Sequence, residues 1–65
     1  MEKGTRVRVI NETGNNCAIG IYLGEGIPPR ELNMPHPTIR HYAIQVDNEL
    51  RYYPSGFNTL VPDRS

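Results

Sequence analysis

The chain has 65 residues, with seven basic and seven acidic side chains, so its formal net charge is zero when both histidines are neutral. A general duplex binder draws most of its affinity from an electrostatic surplus, and that class is disfavoured from the outset. A chain of this size buries only about 60% of its unfolded surface, which implies one domain with a marginal core and makes self-association the expected support.

Cys17 is the only cysteine. No intrachain disulfide can form, and the chain reads as intracellular. One cysteine beside His36 and His41 lacks the ligand spacing of a structural zinc site. No apolar run approaches the roughly 20 residues of a membrane-spanning helix, and no signal peptide is evident. The expectation is a cytoplasmic protein with no cofactor, no metal and no membrane partner.

In chain order, Thr5-Arg-Val-Arg-Val-Ile10 reads as the first strand, with Val7 and Val9 inward and Arg6 and Arg8 outward. Residues 11–16 form a dense turn cluster, since Gly14 and the asparagines accept left-handed backbone angles. Cys17 to Leu23 is the second strand. Its larger aliphatics, Ile19, Ile21 and Leu23, are expected on the core face with Cys17, leaving Gly20 and Tyr22 on the outer face. A glycine within a strand marks a bulge, a bend or close backbone approach, and a bend suits a small barrel.

Residues 24–40 form a long loop rich in glycine and proline. Loops of this length usually carry function or lack fixed structure. Arg30 to Met34 is expected to form one helical turn after Pro28-Pro29, with Leu32 and Met34 covering one mouth of the barrel. His41 to Asp47 is the third strand, with Tyr42, Ile44 and Val46 inward and His41 on the polar face. A tight turn at Asp47-Asn48 leads into the fourth strand, 50–54. Leu50 and Tyr52 are expected inward there, and Arg51 and Tyr53 outward. Pro54 to Phe57 makes a corner that drops Phe57 into the core. Thr59 to Val61 is the last strand, and 62–65 a frayed tail. The fold class is all-β, five-stranded, a single domain over 1–65 with one long loop at 24–40.

This order of strands and turns over residues 4–62 resembles the SH3-like small barrels, which serve as peptide-, RNA- and DNA-binding or oligomer-forming modules. Gly4-Thr-Arg-Val-Arg8, Tyr42-Ala-Ile44 and Tyr53-Pro54 also look like the type II dihydrofolate reductases, whose four copies surround one active pore. In that family the corresponding strand reads Val-Gln-Ile-Tyr-Pro, and its Gln, Ile and Tyr line the pore. Here Leu50-Arg51-Tyr52-Tyr53-Pro54 keeps only the Tyr-Pro, and Arg51 stands in place of the Gln. The small size and the lack of a catalytic set are also similar to accessory proteins of phages and other mobile elements. Several of these are tiny oligomers that block a host enzyme or sequester a nucleotide.

The residues themselves offer no nucleophile-and-base pattern and no phosphate-binding fingerprint. Cys17 reads as a buried small hydrophobe. The stronger signal is an outward arginine and aromatic set, able to stack on a base and fork onto a phosphate. Arg6, Arg8, Tyr22, Arg40, His41, Arg51 and Tyr53 are its candidate ligand-binding residues. Tyrosines on outer strands serve equally well as an interface between copies. The expected function is a non-enzymatic, homo-oligomeric binding protein engaging a nucleotide-like ligand or a host protein. A pore-type reductase and a nucleic-acid-binding barrel are the alternatives.

Overall fold

The structure is a computed structural model that describes residues 1–64. Five strands, β1 (Arg6–Asn11), β2 (Asn16–Gly26), β3 (His41–Val46), β4 (Glu49–Pro54) and β5 (Asn58–Pro62), form one antiparallel sheet in the order β4-β3-β2-β1-β5. The fold is therefore all-β, as expected. Each edge strand, β4 and β5, has a single neighbour in the sheet, so hydrogen bonding leaves the barrel open. The sheet nevertheless curls. Tyr53 from β4 and Leu60 from β5 both pack against one cluster of Val7, Val9 and Ile44, each of which is fully buried. Among the described residues no helix is long and apolar enough to cross a membrane.

Val7 and Val9 face inward because β1 alternates, and their β-branched side chains suit a pleated, buried surface. Asn11 organises the turn that follows. Its Oδ1 accepts from the Thr13 amide at 3.0 Å, the Thr13 hydroxyl at 2.7 Å and the Asn15 amide at 3.0 Å. Gly14 takes φ +88°, which a side chain would resist.

The facing of β2 is the reverse of the expectation. Ala18 and Tyr22 pack on the core, whereas Cys17 is exposed and Ile19 and Leu23 are 45% and 40% exposed. Gly20 sets this phase. A Cβ built there would stand 2.8 Å from Ile44 Cγ2 and 3.0 Å from the Gln45 carbonyl carbon, and nearer still to the Gln45 carbonyl oxygen. Only a glycine admits the β3 backbone so closely, so this residue marks close approach rather than a simple bend. At Leu23 the β2–β3 register slips, pairing Tyr22 with Ile44 but Gly24 with Ala43. This bulge carries β2 on to Gly26, three residues into the segment expected to be loop.

The facing of β4 is also reversed. Asp47-Asn48 is a two-residue turn, with Asp47 at φ +54°, and it sets Val46 opposite Glu49. Ile44 then stands opposite Arg51 and Tyr42 opposite Tyr53, so Arg51 and Tyr53 share the core side. Leu50, 47% exposed, and Tyr52 lie on the other face, opposite Gln45 and Ala43.

The helical turn expected after Pro28-Pro29 is a 3-10 turn, Arg30–Leu32, closed by Asn33 at φ +51°. Leu32 stays 47% exposed and covers no barrel mouth. Phe57 likewise misses the core. It is 46% exposed and lies beside the His36 ring, with centroids 5.9 Å apart. The tail is tied down rather than frayed at Asp63, whose amide donates to the Arg6 carbonyl at 2.8 Å.

Candidate functional site

The seven candidate residues do not form one site. Arg6 and Arg8 lie on the face of β1 opposite the core, and both turn toward Asp63. Arg6 Nε is 2.9 Å from one carboxylate oxygen and Arg8 Nε is 4.0 Å from the other. Arg40, at the end of the long loop, pairs with Glu25 at 3.1 Å. Arg51 pairs with Glu49 at 3.0 Å and donates to the Tyr53 hydroxyl at 3.4 Å. That hydrogen bond, with the Glu49 carboxylate behind it, raises the pKa of the exposed Arg51 guanidinium further. Arg6, Arg40 and Arg51 thus each hydrogen-bond a carboxylate, whereas the buried Arg8 Nε has no hydrogen-bond partner among the described residues, and Arg51 lies across the sheet from Arg6 and Arg8. An anion would have to displace the internal partners.

Tyr22, Tyr42 and Tyr53 belong to the core side. The Tyr22 and Tyr42 rings meet edge to face, with centroids 6.3 Å apart and planes at 66°. Burial raises the pKa of the Tyr42 phenol above its ordinary value, helped by the negative charge of Glu25 and by Tyr22. The expected outward stacking platform of Tyr22 and Tyr53 is in fact packing around Val7, Val9 and Ile44.

His41, expected on the polar surface, is 1% exposed. Its Nδ1 lies 2.9 Å from the Ile39 carbonyl oxygen. A carbonyl can only accept, so Nδ1 carries a proton and donates. The other ring nitrogen, Nε2, is buried and has no hydrogen-bond partner among the described residues.

His41 borders an open depression of about 330 Å³ on the face of the sheet away from the core. Its floor exists because small residues meet there: Gly24 stands opposite Ala43, and Gly26 opposite His41. A Cβ at Gly26 would meet nothing within 4 Å. Leu23, Ile27, Pro29 and Tyr52 provide apolar walls, and Lys3 stands at the rim, its Cε 3.2 Å from the Cβ position of Gly24.

Lys3, Leu23 and Tyr52 escaped the sequence reading. A usable signal was present, since a two-residue turn after an inward Ile44 forces Tyr52 onto the outer face with Ala43. The Gly24-Glu25-Gly26 run likewise removes side chains from one face of a strand. Among the described residues, no group of three or more His, Cys, Asp or Glu side chains is placed to hold a metal ion.

The rest of the outer face is a ladder of paired residues. One row runs from Arg6 through Ile21 and Gln45 to Leu50, and the next from Val61 through Arg8 to Ile19. Ile19 and Leu50 are nearly half exposed, and no other part of the described chain covers them. No protein-family model matches this chain, and no match is found among curated proteins or solved structures.

Proposed function

We propose that the chain is a non-enzymatic binding protein that works as a homo-oligomer, its copies meeting through the outer face around Ile19, Ile21 and Leu50. One observation carries this reading. Among the described residues the fully buried apolar side chains number three, Val7, Val9 and Ile44, while aliphatics of equal or larger size stand exposed on the opposite face of the same sheet. Covering such a patch returns apolar area to the marginal energetics of a small domain.

Charge supports a second copy as the occupant. An interface about a two-fold axis must complement itself, and an apolar centre does so. The cations beside it share one carboxylate, Arg6 at 2.9 Å and Arg8 at 4.0 Å from Asp63, which lowers the positive charge that two approaching copies oppose. The same pairing weighs against a nucleotide-like anion as the ligand of the arginine set. Tyr53, the residue that suggests a reductase pore, is occupied in core packing.

The test is to replace Ile19 and Leu50 together by lysine and compare molar mass by light scattering on a sizing column. The expected result is a wild-type oligomer and a folded, monomeric double variant. A variant that keeps the wild-type mass would remove this face from the assembly.

A further inference from the structure

We propose that β4 is an edge to which a second copy of this chain adds its own β4, antiparallel about a two-fold axis centred on Leu50. This pairing rests on the self-association proposed for the outer face and adds a second surface, the open edge of the sheet. β4 has β3 as its only neighbour in the sheet. Just past its end, the Ser55 amide donates to the Arg40 carbonyl at 3.0 Å. Hydrogen-bonded pairs alternate along an antiparallel ladder, which assigns the bonds to β3 to Tyr53 and Arg51. Leu50 and Tyr52 therefore turn their amides and carbonyls away from β3, to the open side. Such a row of groups is a template for another strand.

The residues of this edge select both the partner and the register. A two-fold axis places one residue of β4 opposite itself. Centred on Glu49 or on Arg51, it sets like charges directly against each other, which is destabilising. Centred further along, on Tyr52 or Tyr53, it brings Pro54 into the pairing. Pro54 has no amide hydrogen, and its carbonyl already accepts from the Phe57 amide at 3.2 Å and Asn58 Nδ2 at 2.9 Å. Centred on Leu50, it sets each Glu49 opposite the partner's Arg51. Those positions are of the non-hydrogen-bonded kind, where opposed side chains stand closest. The Glu49 and Arg51 side chains are 64% and 42% exposed, so both are open to a partner. Leu50, itself half exposed on the other face, meets its own counterpart. The opposite edge offers no such code, since β5 carries no charge from Asn58 to Pro62.

The experiment reverses the charges of this edge one at a time in the full chain. Glu49→Arg makes the edge wholly cationic and Arg51→Glu makes it wholly anionic. Each variant alone opposes like charges in the Leu50-centred register, and each also loses the internal 3.0 Å ion pair of Glu49 and Arg51. Each should dissociate at a concentration about tenfold or more above that of the wild type, measured by light scattering. An equimolar mixture of the two restores opposite charges across the axis but not within either chain. It should regain the wild-type mass, whereas a role confined to the internal pair predicts no recovery. In the ¹⁵N-labelled wild type, the Leu50 and Tyr52 amides should lose about tenfold of their protection from hydrogen exchange on dilution to single chains.

The two surfaces are read apart. Ile19 lies on β2, with β3 between it and β4, so Ile19→Lys disturbs the outer face and leaves this edge intact. An oligomer dissolved by Ile19→Lys but indifferent to both charge variants would overturn the edge pairing alone. So would a mixture that fails to regain the wild-type mass, or Leu50 and Tyr52 amides that exchange freely in the oligomer.

Discussion

Replacing Gly20 by alanine tests the packing of the sheet directly, because the two possible facings of β2 predict opposite signs. If Gly20 faced solvent, the added methyl would restrict the unfolded chain and stabilise the protein by about 0.4–1 kcal/mol. In the structure the methyl points at β3. Its carbon would lie 2.8 Å from Ile44 Cγ2 and 3.0 Å from the Gln45 carbonyl carbon, against an ordinary carbon–carbon separation of roughly 3.5–4.0 Å. Ile44 is fully buried, and the Gln45 carbonyl belongs to the β2–β3 ladder, so neither can withdraw freely. Overpacking of this kind costs about 1–3 kcal/mol. Taken at about 2 kcal/mol, the middle of that range, and offset by the entropy gain, the net loss is about 1–2 kcal/mol. A chain of this length has roughly 3–10 kcal/mol of stability in total, so the loss corresponds to a fall in Tm of roughly 4–16 °C. Thermal melts and urea titrations of Gly20→Ala and wild type, at one protein concentration, measure it. An unchanged or higher Tm would refute the close approach of β2 and β3.

Two further outcomes are expected. Asn11→Ala removes the acceptor of three hydrogen bonds in the first turn, all near the surface, and should cost about 1 kcal/mol in urea denaturation, whereas Asn11→Asp should retain most of it. No measurable cost in the alanine variant would show that the turn holds without its side chain. The second outcome concerns alkali. Folding raises the Tyr42 phenol above its ordinary value of 10.0, chiefly by burial, so the folded state holds this proton more tightly than the unfolded state does. The resulting stabilisation is fully present below about pH 10 and is lost as pH rises through the folded value. Wild-type stability should therefore fall more steeply than that of Tyr42→Phe above about pH 10, and parallel curves would contradict the assignment.

The strands were legible where the pattern and the packing agree. In β1 and β3 the buried Val7, Val9 and Ile44 sit at the positions that alternation picks out, and the turn cluster around Asn11 and Gly14 lies where the residue types put it. Alternation failed in β2 because hydrophobicity and available space disagree there. Ile19 and Leu23 are the larger apolar residues, but the curled sheet leaves room only for Ala18, Gly20 and Tyr22 on its inside. The bulge at Leu23 then shifts the phase again. In β4 the error was one of register, since the turn fixes Val46 opposite Glu49 and that pairing alone turns Arg51 and Tyr53 inward.

The candidate site was less legible than the fold. Its four arginines read as free cations along the chain. Asp63 and Glu25 are brought to Arg6, Arg8 and Arg40 from distant positions by the fold, whereas Glu49 stands two residues from Arg51 on the same strand. His41 looked like surface because it alternates with Tyr42, Ile44 and Val46. Its burial is a product of the folded sheet, in which it stands between Gly26 of β2 and Pro54 of β4.

The central claim, that exposed aliphatics on the outer face join copies of this chain, is tested most directly by a native mass spectrum of the purified protein over a range of concentrations. A mass equal to a whole multiple of the single chain, persisting on dilution, is the predicted result. A single-chain mass throughout the range would contradict it.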